Sequence, residues 1–268
     1  MKVVRETCIA GRVIDVTVRV PSGRHTEPRA KKRTVTAEKV QKNNDRMAIK
    51  KLARIINANF DKTCWHDTMT YAGNPSPEEA KKKLDRCLGR IRYRMKKRGL
   101  KFKWVVTTEW QNSKLHHHLI TNAPVEMVRE CWKEGHILPR PFDENPNYYK
   151  LAEYIIKETS KSFREKESPF GSRYSHSRGL IIPTPNIEEV DERQLFADPK
   201  PREGYYIDWD TVRRFEHPIT GLEHLEYMMI SIDEEPRIKK YYKGKPKKRE
   251  ENYRQYINYE EEQQSLWK

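Results

Sequence analysis

The stretch Lys114-Leu-His-His-His-Leu-Ile-Thr-Asn122 puts three consecutive histidines at the head of an apolar segment, with an acidic residue, Glu109, just upstream. Side chains two apart on a strand leave the same face, so His116 and His118 point together while His117 points the other way. The flanking runs Val105-Val106-Thr107-Thr108 and Leu119-Ile120-Thr121 both read as strands. On a flexible tail such a run would be a tag or a solvated basic cluster, but this one lies mid-chain. Two imidazoles and a carboxylate on the neighbouring strand make a small open site for a divalent ion. The competing reading is a set of histidines merely exposed on a sheet.

A nucleophile for such a site lies further on, in Tyr148-Tyr-Lys-Leu-Ala-Glu-Tyr-Ile-Ile-Lys-Glu158. Leu151, Ala152, Ile155 and Ile156 recur there with helical spacing. At about 100° per residue, Tyr154 sits roughly 130° from the centre of that apolar stripe, on the side that carries Lys150, Lys157 and Glu158. It is poorly placed for core packing. Tyr148 and Tyr149 are each rotated by more than about 100° from it, so they read as packing or DNA-stacking residues, and one nucleophile is expected rather than two.

These elements, in this order, resemble the HUH endonuclease superfamily, and within it the single-tyrosine replication initiators of phages and other rolling-circle elements. His116-His117-His118 is similar to the family's histidine, bulky residue, histidine motif, with a more polar middle residue than usual. Glu153-Tyr-Ile-Ile-Lys157 resembles the tyrosine motif, in which a lysine follows the tyrosine by three. Asp67-Thr-Met-Thr-Tyr71, after Asn59-Phe60, looks like the first motif, a strand of the form LTLTY. Arg173-Tyr-Ser-His-Ser-Arg-Gly-Leu180, before Pro183, is similar to a segment that follows the catalytic helix in replication proteins of Gram-positive phages and mobile elements. The resemblance spans roughly residues 40 to 185. It implies an α+β fold, a ferredoxin-like (RRM-like palm) antiparallel sheet with helices on one face and the metal site on the other.

The chemistry explains why these residue types belong together. A tyrosine hydroxyl has a pKa near 10 and is a poor nucleophile unaided. Attack on a phosphodiester builds charge on the non-bridging oxygens, which Mg²⁺ or Mn²⁺ can neutralise while fixing the phosphate in line. His116 and His118 are therefore assigned as metal ligands, Glu109 as the third, and Tyr154 as the attacking group. Lys157, one turn along, would stabilise the phosphate or favour the tyrosinate. Glu158 is the alternative third ligand; a surface ion pair with Lys157 or Lys161 is its plainer role. Imidazoles alone favour zinc, copper or nickel, so Mg²⁺ or Mn²⁺ follows from the resemblance and from availability. The product would be a 5′-phosphotyrosine and a free 3′-hydroxyl, with a later 3′-hydroxyl rejoining the strand without ATP.

Composition points independently to nucleic acid. Fifty-four Lys and Arg against thirty-nine Asp and Glu leave +15 in 268 residues, a strong salt-dependent attraction to phosphate. Basic runs cluster at Arg24 to Arg33, at Arg90 to Arg98 on a predicted helix, and at Lys239 to Arg249. The last interleaves Tyr241 and Tyr242 with cations, the composition of a single-strand groove in which bases stack and phosphates pair. Each run alone could be a solvated face. Cys8, Cys64, Cys87 and Cys131 lack paired metal spacing and fit reduced thiols in a bacterial cytoplasm. No apolar run approaches a membrane span or a secretory signal. With no P-loop, unwinding falls to a host helicase, and copying to a host polymerase.

Along the chain, β-branched residues from Cys8 to Val20 predict a strand region, and Ile49, Leu52, Ile55 and Ile56 predict the buried side of a helix over about 36–58. Ser76 and Glu79 are spaced as a capping box. A short helix is expected over 125–133, and the Pro-rich acidic stretch 183–201 reads as a linker or extended lobe. Three regions result: 1–45, an N-terminal strand and basic loop extension; 46–185, the endonuclease core; and 186–268, an accessory region with a charged tail. His66 reads as a structural histidine that could touch DNA, Thr68 and Thr70 as residues of the site's floor. The same residues would serve a conjugative relaxase or a single-strand transposase, and a regulator that binds DNA without cutting it could keep the scaffold. If the run 239–249 contacts single-stranded DNA, neutralising its lysines weakens binding and lowers the slope of log affinity against log salt, measured by titration in a salt series; an unchanged slope removes the run from the interface.

Overall fold

The computed structural model describes residues 2–21, 38–111, 113–164 and 168–234. The basic runs at 24–33 and 239–249 and the acidic tail beyond 250 lie outside the described residues. The chain opens with a hairpin of β1 (Val3–Ala10) and β2 (Val13–Arg19), followed by α1 (Glu38–Asn59). The central part comprises β3 (Trp65–Thr70), α2 (Pro77–Lys97), β4 (Trp104–Glu109), β5 (His116–Thr121), α3 (Val125–Cys131), β6 (Ile137–Pro141), α4 (Tyr149–Arg164) and the two-residue β7 (Ser175–His176). Then come β8 (Asn186–Val190), α5 (Arg193–Phe196), β9 (Tyr205–Glu216) and β10 (Glu223–Ser231).

The fold is α+β with two antiparallel five-stranded sheets. The first has the order β6-β3-β5-β4-β7, so the histidine strand β5 is central, with β3 and β4 on either side. Across it, Thr68, His118 and Thr107 are aligned, as are Thr70, His116 and Glu109. The helices follow from local sequence. Ser76 accepts from the Glu79 amide while the Glu79 carboxylate accepts from the Ser76 amide, and this reciprocal cap starts α2 at Pro77. Leu84, Cys87, Leu88, Ile91 and Met95 then lie on one side of α2 and pack with Met127 and Val128 of α3 against Met69, Val106 and Leu119. The opposite face of the same sheet takes α1 and α4. Ile49, Leu52, Ile55 and Ile56 of α1 and Ile155 and Ile156 of α4 bury Val105 and Ile120. Helices therefore lie on both faces, and the histidine face is covered at its Val105 and Ile120 end.

The second sheet has the order β8-β1-β2-β10-β9, so strands from 1–45 and from 186–234 hydrogen-bond into one sheet. The stretch 183–201, read as a linker, supplies β8, which pairs with β1, and α5. The strand region 8–20 is two strands, because the chain reverses at Gly11 with φ of +59°. A side chain there would also run into the Asn57 carbonyl. This sheet meets α1 through buried charge. Lys50 Nζ lies 3.2 Å from Asp15 and 3.0 Å from Glu226, and Arg54 Nε is 2.7 Å from the other Asp15 oxygen. Thus α1 is apolar toward the histidine sheet and ionic toward the second one. All four cysteines are free and buried, and among the described residues no helix is long and apolar enough to cross a membrane.

Asp67 is the exception to a well-matched core. It lies on the α2 and α3 face of β3, fully buried, and among the described residues neither carboxylate oxygen has a hydrogen-bond partner. Burial pushes its carboxyl up to about 7, against the pull of Arg129. Because the folded pKa exceeds the unfolded one, the folded chain holds the extra proton between about pH 4 and pH 7, and stability falls as pH rises through that window. Asp67→Asn is expected to remove this slope and to raise stability near pH 8 by about 1–3 kcal/mol, while changing little near pH 4. Urea unfolding of both proteins at the two pH values measures it.

Candidate functional site

Alternation on β5 sends His116 and His118 to the face shared with Thr68, Thr70, Thr107 and Glu109. His117 goes to the opposite face and is fully buried. Its two ring nitrogens are both engaged. The Tyr71 hydroxyl donates to the Ala80 carbonyl, 3.2 Å away, so at 2.7 Å it accepts from His117 Nε2–H, and Thr108 Oγ1 donates to Nδ1 at 2.8 Å. Trp132 packs edge-on against both the His117 and Tyr71 rings. A polar middle histidine is thus fully satisfied in the core, and burial pushes it down to about 3, which keeps it neutral.

On the other face three imidazoles form a line. His66 Nε2 is 3.1 Å from His118 Nδ1, and His118 Nε2 is 3.1 Å from His116 Nε2. His116 Nδ1 lies 2.9 Å from the Lys114 carbonyl. A carbonyl only accepts, so His116 carries its proton on Nδ1 and presents a bare Nε2. Burial lowers His118 to about 3, with His66 and His116 adding to it, and burial and Arg140 lower His66 to about 4. Two nitrogens each about 2.1 Å from one ion and at right angles to each other would be about 3.0 Å apart, close to the spacing of the His116 and His118 Nε2 atoms.

Tyr154 stands over this line from α4. Its ring centroid is 5.6 Å from that of His118 and 6.4 Å from that of His66, both edge-on, and the residue is 42% exposed. Tyr148 is buried against Phe142, with ring centroids 4.4 Å apart. Tyr149 packs against the α1 and α4 core. The other predicted residues are placed differently. Glu109 is fully buried beside His116 in the ladder, and its carboxylate accepts from the Gln111 amide at 2.7 Å and from Ser162 Oγ at 2.9 Å. Among the described residues no three His, Cys, Asp or Glu side chains converge as a metal-holding group; the two imidazoles form the edge at which an ion would sit. Lys157 is exposed and pairs with Glu153 at 3.0 Å, one turn back. Glu158 is half-buried on α4.

Sequence reasoning misses two members of this arrangement. His66 reads from sequence as structural, yet its ring reaches His118 and touches Tyr154. A signal exists: His66, Thr68 and Thr70 alternate on a strand that pairs with the histidine strand. Ser162, which donates to Glu109, lies two turns beyond Tyr154, past the end of the helix as read from its apolar spacing. An exposed i, i+4 ion pair contributes little, so Lys157→Ala is expected to change stability by no more than about 0.5 kcal/mol in thermal or denaturant unfolding. Any loss of DNA processing in that variant then belongs to the site and not to the fold.

Residues 64–163 match the family model of the replication-associated protein ORF2. The matched segment begins at Cys64, one residue before β3, and ends in the last turn of α4, so it holds His66, Glu109, all three histidines of β5, Tyr154 and Lys157. No curated protein and no solved structure matches the chain. The match supports a Rep-like protein of DNA replication, with DNA as its partner.

Proposed function

We propose that this chain is a replication initiator that nicks and rejoins single-stranded DNA at an origin, by transesterification onto Tyr154. The observation that carries this reading is the placement of the three candidate tyrosines: Tyr154 alone is both exposed and in ring contact with His118, while Tyr148 and Tyr149 pack into the core. The match to replication-associated proteins over these same residues supports the biological setting.

In the proposed reaction Tyr154 Oη attacks the phosphorus of the scissile phosphodiester. The Oη–P bond forms as the P–O3′ bond breaks, the phenolic proton is lost, and the departing 3′-oxygen gains one. A 5′-phosphotyrosine and a 3′-hydroxyl result, with no change in oxidation state, and the reverse attack by a 3′-hydroxyl rejoins the strand. His116 and His118 would hold Mg²⁺ or Mn²⁺ through their Nε2 atoms, with Glu109 completing the set by a lone pair that Ser162 and Gln111 leave free. When bound, that ion supplies charge neutralisation at the phosphate oxygens. The neutral state of the buried His118 suits a ligand, since an imidazolium has no lone pair to offer. Lys157, on the exposed side of α4, lies one turn from Tyr154 and would meet the phosphate on breaking its pair with Glu153.

With labelled single-stranded DNA and Mn²⁺, Tyr154→Phe is expected to retain DNA affinity within a few-fold and to give no covalent adduct on a denaturing gel. His118→Ala should lose metal-dependent cleavage by at least about 10²-fold, with an unchanged circular dichroism spectrum. Adduct formation by Tyr154→Phe at the wild-type level would exclude this tyrosine and the proposal with it.

A further inference from the structure

The line of imidazoles poses a proton-counting problem whose solution assigns a role to His66. His116 holds its proton on Nδ1, fixed by the Lys114 carbonyl. His118 faces a ring nitrogen on each side, at 3.1 Å in both directions. One neutral arrangement has His66 Nε2–H donating to His118 Nδ1, and His118 Nε2–H donating to His116 Nε2. Every contact is then a hydrogen bond, but a proton occupies the place between the two Nε2 atoms. In the other, His118 Nδ1–H donates to a bare His66 Nε2, and the lone pairs of the two facing Nε2 atoms confront each other at 3.1 Å, which is repulsive unless a cation lies between them.

Resting on the metal-assisted reading above, we propose that His66 is a positioning residue for the metal-holding pair. By exchanging its own tautomer from donor to acceptor it lets His118 carry its proton on Nδ1 and free Nε2 for the ion. Three features of the structure support this. His66 is buried, with a relative exposure of 4%, so no bulk water can readily replace it as the partner of His118 Nδ1. Its position is rigid, since β3 is bonded on both sides, to β5 and to β6. Its ring also contacts Tyr154 edge-on, so it separates the ligand pair from solvent on the side where the nucleophile approaches. A ligating imidazole usually directs its second nitrogen to a fixed acceptor, and losing such an acceptor typically weakens metal binding by about 10–100-fold. Here the acceptor is another histidine, which alone among neutral side chains of that shape can reverse its hydrogen-bonding sense without turning over.

Two measurements test the proposal without reference to turnover. Long-range ¹H–¹⁵N correlation spectra of the ¹⁵N-labelled protein report the tautomer of each histidine, with and without the diamagnetic Mg²⁺. Addition of the ion is expected to move the His118 proton from Nε2 to Nδ1 and the His66 proton from Nε2 to Nδ1 together. A His118 that changes while His66 does not overturns the role of His66 alone. His116 and His118 signals untouched by Mg²⁺ and by titrated Zn²⁺ overturn the metal reading and this proposal with it. In parallel, Mn²⁺ affinity is measured by electron paramagnetic resonance on His66→Phe and His66→Gln. Phe fills the space but offers no nitrogen, and should weaken binding by about 10–100-fold; Gln can donate or accept through its amide and should stay within a few-fold of the wild type. Equal, near-wild-type affinity in both variants would make His66 a packing residue.

Discussion

The alternation of β5 between two differently buried faces is the constraint on which the site depends. A slip of one residue would exchange His117 with its neighbours and turn the ligand pair into the core. The register is held from both sides of the sheet. Below, His117 is engaged by Tyr71 and Thr108, and an apolar residue there would leave the hydroxyl of Thr108 without its acceptor. Above, His116 and His118 face Thr70, Thr68 and Thr107 in aligned pairs. The polar middle residue, unusual beside the pattern it resembles, is therefore a device for fixing the pleat. The Tyr71 that holds it comes directly after β3, the strand that also carries His66. Position 66 and position 117 thus secure the same three residues from opposite faces.

The approach of Tyr154 is set by α1. This helix presents Ile49, Leu52, Ile55 and Ile56 to α4 and to the histidine sheet, and Lys50 and Arg54 to the second sheet. Its C-terminal asparagines anchor two later segments: Asn57 accepts the Tyr148 amide at the start of α4, and Asn59 accepts the Ile181 amide and donates to its carbonyl. The nucleophile's helix is thus pinned at its first turn by Asn57 and at its last by Ser162, which donates to the buried Glu109. Between these pins the apolar stripe of α4 lies on α1, and Tyr154 is left at the edge, over the histidines.

Much of this is legible in the sequence because short-range patterns control it. Period-two alternation places His116 and His118 together, helical spacing separates Tyr154 from Tyr148 and Tyr149, and the Ser76 to Glu79 spacing marks the start of α2. The features that local sequence does not disclose depend on long-range pairing. Nothing local in Val3 to Arg19 or in Tyr205 to Ser231 says that these strands meet. Their sheet also joins α1 through Lys50, Asp15 and Glu226, residues that composition alone reads as solvated. His66 is visible as a strand residue, but its contact with His118 requires knowing the β3 and β5 register. Helices on both faces of the histidine sheet are hidden for the same reason, since the apolar side of α1 does not say which surface it covers.

The most direct test of the account is to incubate the wild-type chain with a pool of labelled single-stranded oligonucleotides and Mn²⁺, isolate any species that survives denaturation, and map the modified peptide. The account predicts a metal-dependent phosphotyrosine linkage at Tyr154. A linkage at Tyr148 or Tyr149, or binding of a cognate origin strand with no linkage at all, would contradict it.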